Sequence, residues 1–344
     1  MPTRVTSFGP GRVNLIGEHT DYNKGLALPF AIEAGVTVRA TGLRDRRISA
    51  VAADLEQRDE FPLDGVERAE GWRGFVRGAT AELADSGVAL VGADLEISGT
   101  VPRGAGLSSS AALEVALVLA LLALAGAGEP DRIELARLCS RIENDWVGAQ
   151  TGLLDQIASL FGERDRALRI DFRSLNVRPV KLSLAGFVLV TVDSGEEHTH
   201  AGSGYNDRRA ECAEACTLLG VDSLRDATLA DVELLPAPLD ARVRHVVTEN
   251  GRVEEAVAAL DSGEMVQLGR LLDASHASLR DDYDISTPAV EETVARCKQA
   301  GALGARIMGG GFGGSVLALM PPGSVPPDGA VVVRPGPGAA VSGS

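Results

Sequence analysis

The sequence predicts a two-domain protein built from both strands and helices, and three observations carry that expectation. At 344 residues the chain exceeds what one hydrophobic core usually supports, and 45% of its residues are apolar, enough for two packed cores. Runs with period-two alternation recur between runs with helical spacing. The pattern turns irregular from Arg173 to Leu184, which places a crossing between an N-terminal domain over 1–178 and a C-terminal domain over 179–344, with a cleft between them.

In chain order, Arg4 to Phe8 and Ala34 to Thr41 alternate as strands, and Arg47 to Ala52 with Glu60 to Leu63 make a further pair. Trp72 to Ala84 has helical spacing, with Phe75, Val76, Ala79 and Leu83 on one side and Ser86-Gly87 as its stop. The apolar run from Ala111 to Ala127 is interrupted by Glu114, which marks a buried helix and not a membrane span. Asp131 to Val147 is helical up to Gly148, Thr151 to Gly162 is helix-like, and Leu168 to Phe172 and Phe187 to Asp193 are strands. A helix opens at Tyr205 and continues through Cys216. Helices broken at Pro236, Asn250-Gly251 and Ser262-Gly263 fill Leu224 to Leu279, and Pro288 to Ala300 forms another. Ala330 to Val333 is a last strand, and the tail from Pro335 is expected to be loose.

A formal charge of −15 argues against nucleic acid and anionic membrane as partners, because both would be repelled. Any anionic substrate must meet local positive groups. Cys139, Cys212, Cys216 and Cys297 are too sparse for a disulfide framework, and the amino terminus lacks the apolar run of a signal peptide, so a cytoplasmic location is expected. His198 and His200 fit no helical ligand pair, and Cys212 with Cys216 has no second pair nearby; a metal is expected at neither.

Three stretches carry chemistry. In Pro10 to Asn23, the polar residues Arg12, Asn14, Glu18, His19, Asp21 and Asn23 alternate with apolar or glycine positions. Buried polarity of this kind must be hydrogen-bonded, and a ligand rich in hydroxyls is one way to satisfy it; a solvated loop after an edge strand is the other reading. In Leu95 to Glu114, Gly104 and Gly106 let the backbone approach a ligand, and a helix starting near Ser108 offers unpaired N–H groups and a positive dipole end to phosphates. No Lys follows as in a Walker A loop, so serine hydroxyls and a cation must share the charge; the alternative is an ordinary serine-capped helix. In Ala305 to Met320, five glycines surround Phe312 between β-forming runs, which fits a functional loop better than a linker. Two residues keep two readings each. Asp155 is a helix cap or a carboxylate facing a cleft, and Trp72 is a helix anchor or a base-stacking ring.

Gly11 to Asn23, Pro102 to Ala112 and Gly309 to Gly314, in that order, resemble the signature motifs of the GHMP family of small-molecule kinases, and the first has the form seen in its galactokinase branch. Trp72 to Val76, Glu143 to Gly148, Gly152 to Gln156 and Asp284 to Pro288 extend the resemblance over almost the whole chain. It implies an α+β, two-domain GHMP-kinase-like fold with the active site in the interdomain cleft, and ATP-dependent phosphorylation of galactose at its anomeric O1. Arg12 and Asp155 then flank the sugar O1 as the catalytic pair, with Asp155 accepting the O1 proton or placing the hydroxyl. Glu18, His19, Asp21, Gly152 and Tyr205 hold the remaining hydroxyls. Gly104, Gly106, Leu107, Ser108, Ser109 and Ser110 cradle the ATP phosphates, with Ser110 and Glu143 as ligands of Mg2+. Trp72 is the aromatic near the adenine, and Gly309 to Gly313 approach the sugar. The expected partners are the small-molecule sugar and ATP, in a monomer or weak oligomer.

Two departures from the family pattern stand out. Glu196-Glu197-His198 replaces an apolar and then a basic residue before the His, putting negative charge near the cleft, and the segment from Met320 to Asp328 is short, so a peripheral hairpin or helix is missing. The first leaves a kinase for N-acetylgalactosamine, arabinose or galacturonate as a rival. A sensor that binds sugar and nucleotide without transfer is the rival from another class, and the presence of Arg12, Ser110, Glu143 and Asp155 speaks against it.

Overall fold

The computed structural model describes residues 3–102, 106–128, 130–149, 151–196 and 201–343. Its first part runs β1 (Arg4–Asn14), β2 (Leu26–Ala27), β3 (Pro29–Leu43), β4 (Arg47–Ala52), β5 (Gln57–Pro62), α1 (Trp72–Asp85), β6 (Gly92–Gly99), α2 (Ser109–Leu124), α3 (Arg132–Arg141), α4 (Leu154–Phe161), β7 (Arg166–Asp171) and β8 (Asn176–Lys181). Then follow β9 (Val188–Asp193), α5 (Ala201–Leu219), α6 (Leu239–Ser262), α7 (Met265–Asp281), α8 (Pro288–Gln299), β10 (Gly304–Ile307), β11 (Ser315–Met320), β12 (Val331–Val333) and β13 (Ala340–Gly343).

Six strands form one sheet in the order β13-β1-β3-β6-β4-β5, four form another in the order β10-β11-β9-β12, and β2-β7-β8 make a third. The large sheet is antiparallel except where β4 runs parallel to β6. On one face it packs against α1 and α2. The α2 helix is apolar all round from Ala111 apart from Glu114 and is buried from Ala111 to Leu122, the pattern of a central core helix, and none among the described helices is long and apolar enough to cross a membrane. Contact between β1 and α2 is as close as backbones permit. A Cβ on Gly9 would lie 2.2 Å from the carbonyl oxygen of Ala112, and Ser7 Oγ donates to the Ala116 carbonyl at 2.6 Å.

The loop after β1 is held from the far end of the chain. Its backbone groups are buried and cannot reach water, so each needs a partner. Glu249 Oε1 accepts from the N–H of Gly17 at 2.9 Å, Asn250 Oδ1 from the N–H of Leu26 at 2.8 Å, and His245 Nε2 lies 3.1 Å from the carbonyl of Glu18; all three side chains come from α6. Arg306 of β10 donates to the carbonyls of Leu15 at 2.9 Å and Asn14 at 3.2 Å.

Several expectations need correction. The crossing from Arg173 to Leu184 contains β8, paired with β7 along its whole length, because its residues alternate weakly and are mostly exposed. Asn250-Gly251 does not break α6: Asn250 faces inward to cap a loop amide, and Gly251 is carried by the helix around it. The tail is not loose throughout, since β13 pairs antiparallel with β1 through Val5, Thr6, Ser7 and Phe8. The first strand is longer than its alternating part, running on to Asn14 through a register shift between Pro10 and Arg12.

Because Gly9 leaves no room for a side chain, Gly9→Ala is expected to destabilise the protein by about 1–3 kcal/mol. A urea unfolding curve checks this as a lower midpoint at unchanged slope.

Candidate active site

Just past the register shift in β1, Arg12 pairs with Ala31 while its backbone N–H donates to the Leu107 carbonyl at 3.0 Å, next to the N-terminal end of α2. Its guanidinium grips Asp155 with two parallel bonds, Nε to Oδ1 at 2.7 Å and Nη2 to Oδ2 at 2.8 Å, while Nη1 donates to the Gly106 carbonyl at 2.6 Å. Burial opposes the charge of Arg12, but Asp155, with Glu18 and Glu143 farther off, outweighs it and holds the guanidinium above its ordinary range. Asp155 sits in the first turn of α4 and does not cap it. Ser108 donates to Asp155 Oδ2 at 2.6 Å, so that oxygen has two donors and Oδ1 has one, which leaves Oδ1 a lone pair for a further donor.

Ser108 stands at the N-cap of α2 in the left-handed region, φ 61°, and its side chain makes no capping bond. The serine-capped-helix reading therefore fails. The hydroxyl that would have closed the helix end is committed to Asp155, and the first amides of α2 are left to an outside acceptor.

A cavity of about 460 Å³ brings these residues together with Glu18, His19, Asp21, Gly152, Tyr205, Met308 and Gly309. The backbone N–H of Gly309 donates to Glu18 Oε1 at 2.8 Å. His19 has φ 59° and its Nδ1 lies 2.8 Å from Tyr22 Oη, while the Gly310 backbone lies close to the ring. Burial and the neighbouring His245 push His19 down to about 3, so it is neutral at physiological pH. Burial pushes Asp21 up to about 6, with the charges of Asp155 and Glu18 adding to it. Gly152 is where the chain passes Asp21 most closely: a Cβ there would sit 1.8 Å from Asp21 Oδ2. Tyr205, from α5, stacks on His19 with ring centroids 5.2 Å apart.

On the other side of the cavity, Ser109 and Ser110 open α2 and Glu143 lies in the first turn of a π-helical segment, Ile142–Val147, that ends at Gly148 with φ 88°. Glu143 accepts from Thr151 Oγ1 at 2.7 Å and Gln156 Nε2 at 2.9 Å, and Ser110 also bonds to it. Burial raises its carboxyl above the ordinary range. Glu114 lies beneath it at 0% exposure, sharing the same Gln156 amide at 3.1 Å, and burial with the charge of Glu143 pushes it well up.

A second cavity of about 430 Å³ adjoins the first at Ser109 and Ser110 and is lined by Trp72, Phe75, Leu55 and Val101. Trp72 anchors its helix, as one of its two readings expects. Its Nε1 donates to Gln57 Oε1 at 2.9 Å, tying the start of α1 to β5, while its ring lines the cavity.

Gly104, Glu197, His198 and His200 lie outside the described residues. The site residues that sequence reasoning missed are Thr151, Gln156, Glu249, His245 and Arg306. Of these Arg306 carried a signal, a lone charge in an apolar β-forming run.

Residues 2–41 match the galactokinase galactose-binding signature, 74–163 the GHMP kinases N terminal domain and 256–327 the GHMP kinases C terminal domain. The galactokinase of Roseiflexus sp. (strain RS-1) is 45% identical over 332 residues, spanning 92% of this chain and 83% of that one. The chain belongs to the GHMP kinase family. Among the solved structures, Lactococcus lactis galactokinase complexed with galactose aligns with this GHMP kinase at a TM-score of 0.90 and 33% identity, over 98% of this chain and 95% of that one. A mevalonate kinase shares the fold at 18% identity and a TM-score of 0.66, covering 92% and 91% of the two chains. The α+β fold of this family, with its N-terminal and C-terminal domains, is thus the fold of this GHMP kinase.

The folded-state value of Asp21 near 6 lies above its unfolded value of 3.8, so the native state binds the proton more tightly. Stability from this group is present below pH 3.8 and is lost as pH rises through about 6. Asp21→Asn is therefore expected to be more stable than wild type at pH 7, with the gap closing toward pH 4, as thermal melts across that range will read.

Proposed function

We propose that this GHMP kinase transfers the γ-phosphoryl group of ATP to O1 of galactose, giving galactose 1-phosphate and ADP. The observation that carries the reading is Asp155, clamped by Arg12 and Ser108 with a lone pair of Oδ1 unfilled, in one cavity with the Glu18, Asp21 and Tyr205 cluster and with the uncapped end of α2. The relatives named galactokinase and the galactose-binding signature over 2–41 support the choice of sugar.

Phosphoryl transfer depends on positioning and on charge stabilisation more than on covalent help. Carboxylates and a phenol suit a polyol, because each hydroxyl of the sugar is a donor that needs an acceptor. With O1 against Asp155 Oδ1, the hydroxyl proton passes to the carboxylate as O1 attacks the γ-phosphorus, and the bond to the β–γ bridging oxygen of ATP breaks with its electrons leaving on ADP. Arg12 keeps Asp155 in place and retains N–H donors for the phosphoryl oxygens as their charge rearranges. The amides and hydroxyls at Ser109 and Ser110 take the phosphates, and the adjoining Trp72 cavity takes the adenine.

Ser110 and Glu143 fit Mg2+. Both present hard oxygen donors, and Glu143 is a buried carboxylate that a cation would favour in its charged form. Bound there, Mg2+ would neutralise charge on the phosphate oxygens. Galactose is favoured over the rival sugars by the galactose-binding signature over 2–41; Glu196 accepts from the hydroxyl of Thr287 at 2.5 Å and is not among the described residues that line the cavity.

Asp155→Asn is expected to lose nearly all turnover while still binding galactose and ATP in calorimetry; a variant keeping more than about a tenth of the wild-type rate would remove Asp155 from the mechanism. Since an ionised Asp21 is the better acceptor for hydroxyls and His19 stays neutral down to about 3, the KM for galactose should rise as pH falls through about 6. The rise should vanish in Asp21→Asn and persist in His19→Gln.

A further inference from the structure

Arg306 is at 0% exposure, a charge placed where no water reaches it. A guanidinium in such a site is stable only with its partners in place. Nη1 donates to the Leu15 and Asn14 carbonyls, and Nη2 forms an ion pair with Glu18 Oε1 at 2.9 Å without the alignment of a hydrogen bond; Nε has no hydrogen-bond partner among the described residues. The same Oε1 accepts from the N–H of Gly309 at 2.8 Å, two residues beyond the end of β10. One oxygen of Glu18 is thus occupied from the C-terminal half by a charge and an amide, and neither engages Oε2. A carboxylate held in this way cannot rotate without breaking an ion pair in a dry site.

We propose that Arg306 is the positioning residue for Glu18, and through it sets which sugar hydroxyl the site selects; this rests on the reading of the cavity as the galactose site. Arg306 never touches the sugar. It fixes one carboxylate oxygen so that the other keeps a single direction. A residue that merely ties β10 to the loop after β1 would also explain the two carbonyl bonds, and the test separates the two roles.

Arg306→Lys, Glu18→Gln and the double variant are assayed with ATP against galactose and against the four galactoses lacking O2, O3, O4 or O6. The expected result is that Glu18→Gln abolishes the preference for one particular hydroxyl. Arg306→Lys should raise the KM for galactose about tenfold, weaken the preference at that same hydroxyl and leave the KM for ATP within about twofold. The double variant should be no worse than Glu18→Gln alone, as expected when one residue acts through the other. Equal losses on every sugar and on ATP, multiplying losses in the double variant, or an Arg306→Lys protein that does not fold would each overturn the proposal. Wild-type protein that does not phosphorylate galactose would overturn the reading of the cavity, and the proposal with it.

Discussion

The site depends on a loop that cannot satisfy itself. Between β1 and β2 the chain carries Glu18, His19 and Asp21 into the cavity, and past Leu15 and Ile16, which still pair with Leu28, it leaves the sheet ladder that would have paired its amides and carbonyls. Those groups are buried, and an unpaired buried amide or carbonyl costs as much as the loss of a hydrogen bond. Glu249, Asn250, His245 and Arg306 meet that need from more than 200 positions further along the chain. This wall of the cavity is therefore held by side chains from distant parts of the chain.

This dependence orders the rest of the architecture. Arg306 and Glu249 are charged and enclosed, an arrangement that favours a unique geometry over maximal stability. Glu249 is itself bonded by Arg252 at 2.6 Å and Ser275 Oγ at 2.7 Å, so the brace is anchored to both α6 and α7. On the other side of the cavity, Arg12 and Ser108 do for Asp155 what the brace does for the loop.

How much was legible in the sequence follows from how local each cause is. Arg12, Glu18, Asp21 and Asp155 could be picked out because a polar residue in an apolar or glycine-rich run has few structural uses. The helix over Trp72 to Asp85 was legible because its periodicity and its stop are written in adjacent residues. By contrast β8 alternates weakly, and β13 owes its order to β1 some 330 residues earlier, a pairing no local window contains. The inward turn of Asn250 and the partners of Arg306 were hidden for the same reason. Ser108 was misread in one of its two readings because a serine before a helix is ordinarily its cap, and only the position of Asp155 shows why this one is not.

The uncapped end of α2 has a wider consequence when set beside Glu143 and Glu114. The N-terminal end of α2 carries the positive end of a helix dipole, while Glu143 and Glu114, both enclosed, share the amide of Gln156. The two tendencies meet at Ser110, which lies in the first turn of α2 and bonds to Glu143. Ser110 is therefore the residue at which one change would disturb both at once.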